Sequence, residues 1–316
     1  MPGLRSIPGV EVVGICGAHA DRAADAASRL EIPHAVTSVD ALLDLGVDAV
    51  TLALPPAENA RGARLAIDRR VAVLCEKPLA QDPDVARELA ARAFEITNAV
   101  DFQFAELDAF RRLHDVISSH ALGDIRQIRV RWFMESSARR LGRWSWKRDR
   151  ALGGGVMTLL GTHLLYLLEW LCGPIEALDG VSRVLAAAPD VPRGRVEADD
   201  TLDARFTFRS GATGEASMSN AISESHEQRW EIDFEHGHAL LMNATSDHMR
   251  GFSLRIDDRN AIATFEDEDA PAVDGRLAPF ARLATRFVEH ARAGRATRPD
   301  FTSAVRVAQL AALVRP

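Results

Sequence analysis

The chain has 316 residues, 38 lysines and arginines against 45 aspartates and glutamates, and a formal net charge of −7. Acidic and basic residues alternate along its length, which argues against a nucleic-acid or anionic-membrane surface. Three cysteines, Cys16, Cys75 and Cys172, without a CxxC spacing exclude a disulfide framework or a zinc site and fit a reducing cytosol.

The length predicts one or two domains, and 47% hydrophobic residues is an ordinary globular value. Two apolar stretches imitate membrane signals. Val156 to Leu168 contains His163 and is shorter than a bilayer needs. Val10 to Cys16 is interrupted by Glu11 and reads as a strand leading into a helix, so secretion is not expected and a cytoplasmic location is.

In chain order, "VEVVGIC" (10–16) predicts a strand and "ADRAADAASRL" (20–30) a helix. Strand "DAVTLAL" (48–54) ends at Pro55-Pro56, helix 58–70 follows, and "VAVLCEKP" (71–78) is the next strand. Helix 82–96 has Asp82 as its N-cap and Pro83 at its first position, and "NAVDFQF" (98–104) closes the series. Apolar strands without alternation, each followed by a helix, predict a parallel sheet covered on both faces, a doubly wound α/β domain. Beyond residue 104 the pattern changes. Helix 106–120 precedes strand 124–136, then a glycine triplet at 153–155 and an apolar helix carrying His163. Long alternating strands at 174–186, 199–221 (turning at Ser210-Gly211) and 228–243 (turning at Gly237) predict a large, mostly antiparallel sheet, and helices 279–294 and 301–314 end the chain.

The sharpest local feature is "CEKPLA" (75–80), a Glu-Lys-Pro triplet at the C-terminal end of a buried parallel strand, where open α/β sheets place their ligand crevice. Its order along the chain carries more weight than the triplet alone. "VEVVGICGAHADRA", "LALPPAENA", "VLCEKPLA", "ALGDIRQIRVRW", "WSWKRDRALGGGV", "GTH" and "RPDFTSAVRVAQ" together resemble the Gfo/Idh/MocA (glucose–fructose oxidoreductase/inositol dehydrogenase-like) family of NAD(P)-dependent oxidoreductases. The resemblance covers nearly the whole chain. It implies a Rossmann-like dinucleotide-binding domain over 1–104 and an α+β domain over 105–316 that binds substrate and mediates oligomerisation, giving a homo-oligomer (dimer or tetramer). It also implies hydride transfer between NAD or NADP and a secondary alcohol or ketone of a sugar, cyclitol or related polyol.

Carried over by position, Lys77 and His163 are the catalytic pair. An alcohol releases hydride only as its oxygen loses a proton; a histidine titrating near neutrality takes that proton, and a lysine ammonium stabilises the developing alkoxide. Pro55, Pro56, Glu76, Lys77 and Arg22 are the implied cofactor contacts. Lys77, Arg131, Trp132, Trp146, Lys147, His163 and Tyr166 are the implied substrate contacts, with packing the alternative role for the tryptophans. His236 and His238 flank Gly237 without a third metal ligand, and no metal is expected. His19, His34, His114, His120, His226, His248 and His290 read as solvated.

The sequence departs from the family pattern in two places. It begins inside the family's first helix, and no GxGxxG occurs anywhere in it. A start codon assigned too far downstream, a truncated gene and a descendant that no longer uses the cofactor all fit this. Gly17-Ala18-His19 replaces the acidic residue that often follows the next strand, with Arg22 nearby, which leans towards NADP. In the second departure, Leu159 and Tyr166 stand where aspartates commonly precede and follow the family's histidine. Two other readings stay open: a redox-neutral sugar lyase or hydrolase that oxidises transiently, as in some members of the resembled family, and a non-catalytic scaffold, which these losses favour.

Overall fold

In the computed structural model, which describes residues 2–187, 191–222, 226–258, 262–266 and 274–315, the chain divides into two units. One comprises Met1–Asp101 and Phe280–Val305, the other Phe102–Pro279 and Arg306–Pro316.

The first unit alternates strands and helices: α1 (Pro2–Arg5), β1 (Gly14–Cys16), α2 (Ala20–Arg29), β2 (His34–Val36), α3 (Val39–Leu43), β3 (Ala49–Leu52), α4 (Pro56–Asp68), β4 (Ala72–Glu76), α5 (Pro83–Arg92) and β5 (Asn98–Asp101). Every ladder among them is parallel. β4 is buried from Ala72 to Cys75, so it reads as a continuous apolar run. Asp82 caps α5 by accepting the Asp84 N–H, with Pro83 in the first turn, as predicted. The strand predicted over 10–16 shrinks to Gly14–Cys16 because its ladder is with the three residues of β2. β2 and α3 are not legible in the sequence: three residues are too few to show a period, and α3 owes its start to Ser38, which accepts the Ala41 N–H at 3.1 Å. The strands form a pair, β1-β2, and a triplet, β3-β4-β5, with no ladder between β1 and β3.

The second unit contains α6 (Asp108–Ser118), β6 (Ile125–Phe133), α7 (Ser137–Arg140), α8 (Thr162–Cys172), β7 (Ile175–Arg183), β8 (Thr201–Phe208), β9 (Thr213–Ser219), β10 (Glu227–Phe234), β11 (Gly237–Asn243), β12 (Ser253–Asp258) and β13 (Ile262–Glu266). The closing elements of the chain are α9 (Leu277–Arg292), α10 (Phe301–Ala311) and β14 (Val314–Arg315). Nine strands form one sheet in the order β13-β12-β11-β10-β6-β9-β8-β7-β14. It is antiparallel except where β6 meets β9 and β7 meets β14. The second hairpin turns at Glu235-His236, one residue earlier than predicted, and Gly237 already pairs with Asp258 of β12.

Side chains alternate across this sheet. Ile128, Val130, Trp132, Met218, Trp230 and Ile232 are buried on its inner face. Arg129, Arg131, Asp203, Arg205 and Glu231 are among the residues along its outer face. Leu164, Leu165, Leu167, Leu168 and Leu171 of α8 are also buried. The stretch Arg150–Cys172 is long and apolar enough to cross a membrane by length and composition, but most of it is buried inside the protein here. Strands β12 and β13, the latter at the sheet edge, escape sequence reading because both are short and β13 is mostly exposed.

Residues from the far end of the sequence complete the first unit. Leu283, Ala284 and Phe287 of α9 join Ile7, Ala72, Leu74 and Ala99 in one apolar cluster. The β5 edge is tied down by Val100 N–H to the Pro299 carbonyl (3.0 Å) and by Phe301 N–H to Asn98 Oδ1 (2.8 Å).

Candidate active site

In the first unit, β3 and β4 deliver their C-terminal ends side by side, Leu52 pairing with Cys75. One residue clamps the loops that follow. Asn59, fully buried on α4, accepts the Leu54 N–H at 3.0 Å and donates to the Glu76 carbonyl at 3.2 Å. The Pro55-Pro56 turn and the Glu-Lys-Pro triplet are therefore one hydrogen-bonded construction. Glu76 accepts the Lys77 N–H at 3.1 Å, and the Lys77–Pro78 peptide is cis. Beneath the triplet, burial pushes the Cys75 thiol well above its usual range, with Glu76 and Asp101 adding to the effect. Arg22 is exposed in the first turn of α2, beside Asp21.

In the second unit, the helix carrying His163 starts against two other segments. A Cβ on Gly154 would stand 2.5 Å from the carbonyl oxygens of both Trp146 and Lys147. Gly155 (φ +112°) donates to the Lys147 carbonyl at 3.0 Å, and a Cβ there would overlap the Asp199 carboxylate. Asp199 accepts the Met157 N–H at 3.3 Å, placing a carboxylate at the start of the helix. Burial raises the pKa of that carboxyl above its ordinary value. The glycine triplet thus serves close approach to the "WSWK" turn and Asp199. Residues Met157–Gly161 then form a π turn before α8, a device common at functional sites. Leu159 lies in this turn and not in the regular helix that carries His163 and Tyr166.

His163 is 3% exposed and held between aromatic edges. Its ring centroid is 4.7 Å from that of Phe104 and 6.1 Å from that of Phe102, both T-shaped. Phe102 stacks on half-buried Tyr166 at 4.4 Å, and Phe104 meets Trp132 edge-on at 4.9 Å. The structure therefore gathers His163, Tyr166 and Trp132 around Phe102 and Phe104. Arg131 lies on the opposite, outer face of β6, over the Phe133 ring and 3.8 Å from Glu227, and is not brought to this cluster. Trp146 and Lys147 lie in the turn that receives Gly154. His248, read from sequence as solvated, is half-buried with its ring 6.2 Å from that of Phe104, and burial lowers its pKa. Among the described residues no group of three His, Cys, Asp or Glu could hold a metal ion.

Sequence reasoning missed Asn59 and Asp199. An asparagine on the buried side of a first helical turn, and the doublet Asp199-Asp200 before an alternating strand, were the available signals.

Parallel strands ending in these loops define a dinucleotide-type α/β unit, and the aromatic-walled histidine lies on a separate sheet-and-helix unit. Residues 1–103 match the oxidoreductase family with an NAD-binding Rossmann fold, and residues 110–240 match the GFO/IDH/MocA C-terminal domain. The chain belongs to the Gfo/Idh/MocA oxidoreductase family. An uncharacterised oxidoreductase of Synechocystis sp. is 26% identical over 320 residues, 96% of this chain and 86% of its own. The levoglucosan dehydrogenase of Pseudarthrobacter phenanthrenivorans is 25% identical over 71% of this chain and 62% of its own length. The 1,5-anhydro-D-fructose reductase of Ensifer adhaerens is 30% identical over 64% and 60% respectively. A solved levoglucosan dehydrogenase in complex with NADH and levoglucosan superposes with a TM-score of 0.83 at 21% identity, covering 95% of this chain and 86% of that one.

The loops clamped by Asn59 lie at the C-terminal ends of β3 and β4, where open α/β sheets bind dinucleotides, so the residues there fit a nicotinamide cofactor.

Proposed function

We propose that the protein is an NAD(P)-dependent oxidoreductase acting on a secondary alcohol or ketone of a sugar, cyclitol or related polyol. The observation that carries this reading is His163, buried among aromatic rings on α8, in a chain whose β4 ends at Glu76 and runs on into Lys77-Pro78. Levoglucosan dehydrogenase and 1,5-anhydro-D-fructose reductase among the relatives point to the same substrate class. A bound nicotinamide supplies the hydride acceptor or donor. Pro55, Pro56, Glu76 and Lys77 form the loops that hold its ring and ribose, with Asn59 keeping them in register. His163 Nε2 or Nδ1 takes the hydroxyl proton, and the aromatic wall excludes water from that transfer. The Lys77 ammonium steadies the oxygen as negative charge grows on it. Trp132, Trp146, Lys147 and Tyr166 supply substrate contacts.

No carboxylate follows β1 at Gly17-Ala18-His19, and Arg22 is exposed nearby, so a 2′-phosphate meets no repulsion from these three residues. NADPH is therefore expected to bind at least as tightly as NADH. The chain is also expected to form a homo-oligomer through the outer face of the nine-stranded sheet.

The test is a fluorescence titration with NADH and NADPH, followed by turnover on a panel of levoglucosan, L-sorbose, D-glucose and myo-inositol. His163→Ala and Lys77→Met are each expected to lower turnover by about 10²–10⁴-fold without unfolding the chain. Wild-type turnover in both variants removes the mechanism. Nicotinamide absorbance that returns to baseline while product accumulates identifies the redox-neutral reaction instead. Failure to bind either dinucleotide identifies the scaffold, the reading favoured by Leu159 in place of a carboxylate.

A further inference from the structure

A cavity of about 10 Å³ opens in the second unit beside the π turn that precedes α8. Leu159 forms an apolar wall, and Lys147, Asp199, Asn220 and Ser136 are among its other lining residues. A space of that size holds one water-sized polar group, such as a single hydroxyl.

The charges around it are sorted. Arg139 lies 2.5 Å from Asp200 and 3.6 Å from Glu197, and Arg148 lies 3.1 Å from Glu197. The side chains of Arg148, Glu197 and Asp200 are buried and that of Arg139 is half-buried, two cations beside two carboxylates. Asp199 feels the charges of Arg150 and Asp200, and it lines the same cavity as Lys147. Asp199 is half-buried and takes the Met157 N–H, which leaves an ionised carboxylate further acceptor capacity. Lys147 is exposed and can donate, and Asn220 is buried at 6% exposure. Shielding from water raises the pKa of the Asp199 carboxyl, so a donor brought to it gains more than it would at an open surface. A neutral hydroxyl satisfies both groups at once, because it donates to a carboxylate and accepts from an ammonium.

We propose that this cavity is a hydroxyl-binding subsite for a neutral polyol, with Asp199 accepting from the hydroxyl, Lys147 donating to it, and Leu159 limiting the size of what enters. The proposal rests on the polyol reading above and adds a specificity-determining carboxylate to it.

Thermal-shift titrations of the full chain with levoglucosan and myo-inositol, with and without NADH, test the subsite. The wild type is expected to show saturable stabilisation. Asp199→Asn keeps an oxygen for the Met157 N–H but loses the charge, and is expected to bind about tenfold or more weakly. The double variant Leu159→Asp/Asp199→Asn, which returns a carboxylate to the same cavity, is expected to recover affinity. Lys147→Met approaches the cavity from its exposed side and carries the same test should Asp199→Asn melt early. Unchanged affinity in both Asp199→Asn and Lys147→Met, or no polyol binding by the wild type, overturns the proposal. The two readings fail separately. Polyol binding without nicotinamide turnover refutes the oxidoreductase, whereas turnover with an unchanged KM in Asp199→Asn refutes the subsite.

Discussion

Gly154 shows how narrowly the candidate site is built. It sits where two carbonyl oxygens, those of Trp146 and Lys147, converge on its Cα, and a methyl group there meets both at 2.5 Å. Neither oxygen is the end of a flexible side chain, so the backbone itself must shift. Gly154→Ala is expected to destabilise the second unit by about 1–3 kcal/mol and to lower turnover further by displacing the start of the helix that carries His163. Urea melts alongside steady-state kinetics check both effects, and a variant indistinguishable from wild type in each would show that the close approach is dispensable. Asn59 has a comparable role in the first unit, where its amide bridges the ends of two strands. Both residues lie inside segments that the sequence already marked, yet neither type reveals its role without the neighbour it touches. A glycine triplet and an asparagine after a proline pair have many uses.

At the scale of elements, α4 and α5 are joined by a fork of charge. Glu88 accepts from Arg64 on α4, with Nε at 3.1 Å and Nη2 at 2.5 Å, and from Arg92 on its own helix at 2.9 Å. Hydrogen bonds from Arg64, then from Arg92, lower the Glu88 pKa from 4.5 to about 2. A carboxylate depressed in the folded state stabilises it above the unfolded pKa, and that contribution disappears as pH falls through the folded value. The difference in melting temperature between wild type and Glu88→Gln is therefore expected to be steady above pH 4.5 and to shrink towards zero as pH approaches about 2. A difference independent of pH across that window would assign the effect to packing. The side chains are more than one-third exposed, so the effect is small and declines with added salt. The π turn is the other element-scale finding. The apolar spacing of Val156 to Leu168 predicts one unbroken helix, but five residues of it widen where Asp199 and the "WSWK" turn press against its start.

On the molecular scale, the outer face of the nine-stranded sheet carries a groove of about 570 Å³ lined by charges of both signs, with Val181 exposed among them. Arg129 bonds Asp233 at 2.9 Å, and Arg183 lies 2.7 Å from Asp203. A face of mixed sign can meet its own two-fold copy with each charge opposite its complement. Light scattering is expected to give twice the chain mass, and Val181→Asp to give the single-chain mass with an unchanged circular dichroism spectrum. A wild type that is monomeric at micromolar concentration refutes the face-to-face arrangement.

The sequence alone determined the α/β class, the large mostly antiparallel sheet and the family, and its motif order put Lys77 and His163 forward as candidates. These depend on local periodicity, turn residues and the order of short segments, all of which are properties of neighbours along the chain. Tertiary structure decided the rest. It brought residues 280–305 back to complete the first unit, left β1 and β3 without a shared ladder, and put Arg131 and Trp132 on opposite faces of one strand. It also set Asp199 against the start of a helix more than forty positions earlier in sequence. Such contacts join residues far apart in the chain, where burial and hydrogen-bond satisfaction depend on what the rest of the fold brings alongside.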